Sequence, residues 1–269
     1  MLDNAPEGSP LQGSTPFPTK PQLKRINREF VAMVRSWFPR KFYEKRAGQH
    51  NTFIAAALLR MCDMLDALMV LMTQAATDES ARVLLRSLYE QAVRLSWVLI
   101  NPHEHHSLWV GQGQRDLLTI HNALMPYRTE FLTSEQLAWV QGAAEMPSVE
   151  EMTRQADKHW PAKVLGLHQR GHALSFHGLY VTVYRATSLA VHGSVNSLEP
   201  YFDLEGPWPV AHASVRDEMI IYALGAPLLG IALIVAGQDR PWIDEARVRR
   251  FVDRASAETT RRRERSARG

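Results

Sequence analysis

Apolar positions recur every three or four residues along most of this chain, the spacing of helices with one buried face. Leu23, Ile26, Phe30, Val31, Val34 and Trp37 mark a helix over residues 20–38, which Pro39 closes. Residues 49–75 predict a long, mostly apolar helix carrying Arg60, Asp63 and Asp66. Asp78 and Glu79 place favourable negative charge at the start of the next helix, which runs to about Ile100 before Asn101-Pro102 stops it. A further helix spans Glu104–Leu124. Thr133 or Ser134 caps a short one through Val140, and Ser148 with Glu151 forms a capping box before another that ends at Trp160-Pro161. Residues 174–192, an apolar stretch capped by Ser214 and ending at Ala236, and residues 241–260 complete the helical set. The chain shows no strand-type alternation, no hairpin turn between apolar runs and no internal repeat. The expected fold is all-α: one bundle of long antiparallel helices with shorter helices inserted at about residues 125–170.

Residues 219–236 run for 18 positions without a charge, the lower limit for a membrane span. Gly225, Pro227 and Gly230 interrupt the run, and its flanks show no positive bias. A helix apolar on all sides also suits the centre of a bundle, which is the preferred reading. Residues 1–19, with Pro6, Pro10, Pro16 and Pro18 among Gly, Ser and Thr, have the composition of a disordered leader and lack the pattern of a signal peptide. The excess behind a net charge of +3 is concentrated in residues 261–269 (RRRERSARG), a basic tail following a domain at 20–260. The single cysteine, Cys62, excludes an internal disulfide framework and suits a reducing cytoplasm; its apolar surroundings predict a buried side chain.

Two polar patterns stand out from the apolar background. Arg82, Arg86, Glu90 and Arg94 step by four and form one slowly turning stripe, in which Arg86 and Glu90 can pair across a turn. The stripe is either a solvated face laced by ion pairs or the lining of a cleft. The second pattern is YRATSLAVHGS, Tyr184–Ser194. At about 100° per residue, Arg185 and His192 lie only about 20° apart around a helix axis, with Ser188 between them on the same face. An imidazole near neutral pKa and a planar guanidinium are the groups that RNA cleavage by a 2′-hydroxyl would need, as proton carrier and phosphate stabiliser. A structural role is equally concrete. His192 would face free carbonyls at a helix end, and Arg185 could pair with Glu90.

Together, LLRSLYEQAVRLSWVLINP and the later YRATSLAVHGS resemble a family of bacterial helical proteins described only as a domain of unknown function. The shared features are Arg86 with Glu90 before a polar-Pro step, then Tyr184, Ser188, His192 and Ser194, and the resemblance spans about residues 25–240. That family is similar to HEPN domains, helical bundles that are often dimeric and include metal-independent ribonucleases of toxin and defence systems. The resemblance implies Arg185 and His192 as catalytic residues, with Ser188, Tyr184, Arg86 and Glu90 in support. It further implies a homodimer acting on RNA, an antitoxin or regulatory protein as partner, and no cofactor. Ala186, where active nucleases often carry a polar residue, departs from the signature and favours the rival reading of a non-catalytic interaction module.

His103, His105 and His106 cluster near a helix start, and His168 and His172 would share a face if helical, with His177 following. Each element offers at most two such ligands and no HExxH pattern occurs, so a metal is not expected. Dinucleotide, P-loop and serine-hydrolase motifs are absent, and Ser188 with His192 lacks an accompanying acid. The aromatics Tyr201, Phe202 and Trp208 are expected to fold over the core.

Overall fold

The chain is held together around two helices that turn apolar side chains to several neighbours at once. The computed structural model describes residues 19–38, 49–71, 78–127, 132–140, 145–169, 172–185, 187, 202–203, 210–211 and 219–252. These form α1 (Lys20–Ser36), α2 (Gln49–Leu71), α3 (Asp78–Val98), α4 (Pro102–Leu124), α5 (Ser134–Val140), α6 (Val149–His159), α7 (Ala162–Leu165), α8 (Phe176–Leu179) and α9 (Met219–Gly237). A 3₁₀ turn follows α4 at Met125–Tyr127, a π-helical segment, Tyr180–Arg185, continues α8, and residues 245–252 are helical. The fold is all-α with a multi-helix core, and the short helices fall where the sequence puts them.

The apolar stretch that reached the length of a membrane span is the buried centre of this bundle. α9 packs on α1, α2, α3 and α7, and Leu228, Leu229, Ile231, Leu233 and Ile234 are all at most 1% exposed. Fully burying side chains of this kind contributes about 1.5–3 kcal/mol each. Among the described residues, no helix is long and apolar enough to cross a membrane. α3 is the second hub, touching α2, α4, α6, α9 and the π segment, and buries Leu85, Leu88, Tyr89, Val93 and Trp97. Two indole N–H groups are bonded at its buried side: Trp97 Nε1 donates to Gln155 Oε1 at 2.7 Å, and Trp160 Nε1 donates to the Ser96 carbonyl at 3.1 Å.

Helix starts follow the sequence signals. Gln136 N–H donates to Thr133 Oγ1 and Glu151 N–H to Ser148 Oγ, so both short helices are capped. At Thr133 the box is reciprocal, because Gln136 Oε1 accepts from the Thr133 N–H. Glu151 instead accepts from Gln155 and pairs with Arg154, leaving the second box half-formed. The helix expected after residue 241 begins later, where Asp244 Oδ1 accepts from Arg247 N–H.

Three expectations need correction. Residues 174–192 are not one uniform α-helix: α8 starts at Phe176, and the chain widens into the π form from Tyr180. Residues 168–169 and 172–173, whose histidines would share a face only if helical, pair instead as a two-residue antiparallel ladder, with Gln169 opposite His172 and His168 opposite Ala173. His168 and His172 therefore do not share a helix turn. A second ladder pairs Phe202–Asp203 with Val210–Ala211 within the aromatic loop; Tyr201 and Trp208 lie outside the described residues, as does Ser214.

Candidate functional site

The polar stripe of α3 and the aromatic end of the π segment meet. Arg86 Nε donates to Glu90 Oε1 at 3.1 Å, and one Arg86 Nη donates to Tyr184 Oη at 3.1 Å. The guanidinium carbon of Arg86 also stands 4.5 Å from the centroid of the Tyr184 ring, within range of a cation–π contact. Glu90 pairs on its other side with Arg94, at 3.5 Å. Arg86, Glu90 and Arg94 are 13%, 23% and 30% exposed, so the stripe is a half-buried seam rather than a solvated face.

Below the seam lies a cluster of three tyrosines. Tyr180 and Tyr184 stack at 5.2 Å with 15° between their planes, and Tyr89 of α3 lies 5.9 Å from Tyr184. Tyr89 Oη shares a 2.9 Å hydrogen bond with Thr153 Oγ1 and donates to the Phe176 carbonyl. Burial pushes the Tyr89 phenol well above its ordinary range, so it stays a neutral donor. Tyr180 Oη donates to Glu150 at 3.3 Å; burial, then the neighbouring Glu150 carboxylate, raises its pKa. These contacts anchor the π segment to α3 and α6. Single π-helical turns are often found at functional sites.

Arg185 comes next in the chain and is exposed, with its neighbour Tyr184 fixed by Arg86. Glu90 is taken by Arg86 and Arg94, so the suggested Arg185–Glu90 tie is not made. Four of the six site residues read from the sequence are thus described: Arg86, Glu90 and Tyr184 come together, and Arg185 adjoins them. Ser188 and His192, with Ala186 and Ser194, lie outside the described residues. Sequence reasoning missed Tyr89 and Tyr180. The only signal for them was the four-residue spacing of Tyr180 and Tyr184.

Two histidines of α4 are engaged in ring contacts. His105 stacks on Trp97 at 3.8 Å, with Nδ1 2.8 Å from the Trp97 carbonyl, while buried His106 meets the Phe53 ring edge-on at 4.7 Å. His103 and His177 are exposed. Among the described residues, no three His, Cys, Asp or Glu side chains gather as a metal site would require.

No curated protein and no solved structure matches the chain. The profile of DUF5677, a family of unknown function, matches residues 51–207, more than half of the length. That range begins two residues into α2 and runs through α8, and it includes the stripe and the whole of Tyr184–Ser194. The chain belongs to this family of unknown function.

Proposed function

We propose that this is a HEPN-like protein of the cytoplasm that binds RNA as a homodimer, with Arg185 contacting phosphate and His192 moving the proton in a metal-independent cleavage. The supporting observation is the exposed position of Arg185 directly after a tyrosine clasped by Arg86. A cation that must meet phosphate needs solvent access and a fixed backbone, and the π segment supplies the second through its contacts to α3 and α6. Arg86 and Glu90 then act as positioning residues. Tyr184 and Ser188 would lie beside the phosphate. A toxin or defence setting, with an antitoxin or regulatory protein as partner, would accompany such an activity.

The test is incubation of the full chain with total RNA in EDTA, beside Arg185→Ala and His192→Ala. Cleavage by the wild type alone, leaving 2′,3′-cyclic phosphate ends, is the expected result. Activity unchanged in His192→Ala would overturn the assignment.

A second reading has its own observation. Arg86 is 13% exposed and already bonds both Glu90 and Tyr184, as expected of a purely structural tie in a non-catalytic interaction module. Under that reading Arg185→Ala leaves RNA binding unchanged while Arg86→Ala lowers stability.

A further inference from the structure

On the side of Glu90 away from the main site, α2, α3 and α4 border an open cleft of about 450 Å³, within the size range of small-ligand pockets. One end of it is apolar. Phe53, near the start of α2, and Trp109, near the start of α4, meet edge-on at 4.6 Å, with Val110 next to them. Each of these two helices carries a charge into the lining seven residues further on, Arg60 on α2 and Asp116 on α4. Seven residues are about two helical turns, so each charge shares a face with its aromatic and stands about 10 Å along the axis. α2 and α4 thus touch through their rings and present opposite charges two turns away.

Those two charges remain after the rest of the lining has paired. Glu90 and Arg94, its other ionic side chains, meet at 3.5 Å. Among the described residues, Arg60 and Asp116 form no ion pair, with each other or with any neighbour; Asp116 only accepts from Gln112 Nε2, at 2.9 Å. Both are exposed. Gly113 lies on α4 between Trp109 and Asp116, and a Cβ built there meets nothing within 4 Å. Glycine weakens a helix interior relative to alanine, and what its presence does here is keep the space between rings and charges open.

We propose that this cleft binds a free amino acid with a large apolar side chain. The side chain lies against Phe53, Trp109 and Val110, the ammonium group meets Asp116 and the carboxylate meets Arg60. Arg60 and Arg94 balance Glu90 and Asp116 in formal charge, which suits a zwitterion and works against an anion. The Arg60 guanidinium can receive a carboxylate through two parallel N–H bonds, and the exposed Asp116 carboxylate is an acceptor for an ammonium. Leucine, methionine and phenylalanine have a charged head and an apolar tip at opposite ends, as the cleft has its charges and its rings. The proposal goes beyond RNA cleavage and does not depend on it: a protein with no nuclease activity would still bind the amino acid.

Isothermal titration of the full chain with leucine, methionine and phenylalanine tests this. At least one should bind with a Kd below about 1 mM. Its N-acetyl derivative, which lacks the ammonium, and the corresponding amine, which lacks the carboxylate, should each bind about tenfold more weakly. Asp116→Asn should erase the preference over the N-acetyl derivative, and Arg60→Gln the preference over the amine, effects that a structural role of either residue would not produce. Both positions are exposed, so the melting temperatures should stay close to that of the wild type. Gly113→Leu fills the open space and should abolish binding without lowering the melting temperature. Binding of none of the three amino acids, equal affinity of the wild type for either analogue, or preferences that survive in the matching variants would overturn the proposal.

Discussion

Arg86 uses its whole guanidinium: an ion pair to Glu90, a hydrogen bond to Tyr184 and a face over the Tyr184 ring. Tyr184→Phe removes only the acceptor and should cost about 1 kcal/mol, while Arg86→Ala also removes the charged bond to Glu90 and should cost about 1.5–3 kcal/mol in urea denaturation. Equal costs would mean that the Glu90 pair contributes nothing. The Arg86–Glu90 part of this arrangement was legible in the sequence, because four-residue spacing on a helix dictates it. The Tyr184 part was not, since no local rule joins residues 98 positions apart. Cys62 shows the same division. Its burial could be read from apolar neighbours, but its chemistry follows from packing. Burial, opposed in part by the Arg35 cation, pushes its thiol up to about 12. The unfolded chain gives up this proton near pH 9.0 and the folded chain holds it. Stability is therefore intact below pH 9 and falls as pH rises toward 12, by about 1.4 kcal/mol per pH unit. The buried Tyr89 phenol adds to the loss above pH 10. Urea midpoints measured from pH 8 to 10 should fall more steeply in the wild type than in Cys62→Ala; parallel slopes would remove Cys62 as the cause.

At the scale of elements, helical periodicity located nearly every helix, since burial of one face imposes the three-and-four spacing whatever the partner is. It could not distinguish a π turn from an α turn at Tyr180–Arg185, because both bring Tyr180 and Tyr184 to one side. Two-residue ladders such as Gln169 opposite His172 are too short for alternation to register. The cleft was legible only in part: the stripe offered it as one of two readings, and Glu90 and Arg94 line it, but its other walls come from α2 and α4, which sequence reading treats one at a time. Glycines give the clearest contrast between elements. At Gly113 of α4 an added methyl meets open space, so Gly113→Ala should stabilise by about 1 kcal/mol through helix propensity alone. At Gly225 of α9 the same methyl would lie 2.6 Å from Leu65 Cδ1, with Leu68 and Leu88 behind it. There the Leu65 methyl of α2 fills the space a side chain would take, and Gly225→Ala should destabilise by about 1–3 kcal/mol through overpacking. Thermal melts of the two variants should shift in opposite directions. A gain in both would mean that α9 can move away from α2 at little cost.

The whole molecule is larger than the part the family profile recognises. Residues 51–207 hold the stripe, the tyrosine cluster and the cleft, yet α1, α9 and residues 245–252 fall outside. These outer elements are not appendages. α9 packs on α2 and α3, where Leu65, Leu68 and Leu88 are 0–1% exposed, and α1 covers both α2 and α9. The first and last described segments also meet: Phe30 of α1 stacks on Phe251 at 5.2 Å, and Phe38 meets Trp242 edge-on at the same distance. A fragment of residues 51–207 would leave the apolar faces of α2 and α3 without their central partner, an exposed surface of the kind that drives aggregation. The fragment should therefore retain helical circular dichroism, bind a hydrophobic dye and melt without a sharp transition, whereas the full chain should unfold in one cooperative step. A sharp transition in the fragment would instead make the family unit a domain in its own right, with α1 and α9 packed upon it. The same experiment bears on the site, since α3 carries Arg86, Glu90 and Arg94 on one face and the α9 contact through Leu88 on another. If the core packing of α3 fixes the seam, loss of α9 should loosen the Arg86–Tyr184 clasp together with the cooperative melt.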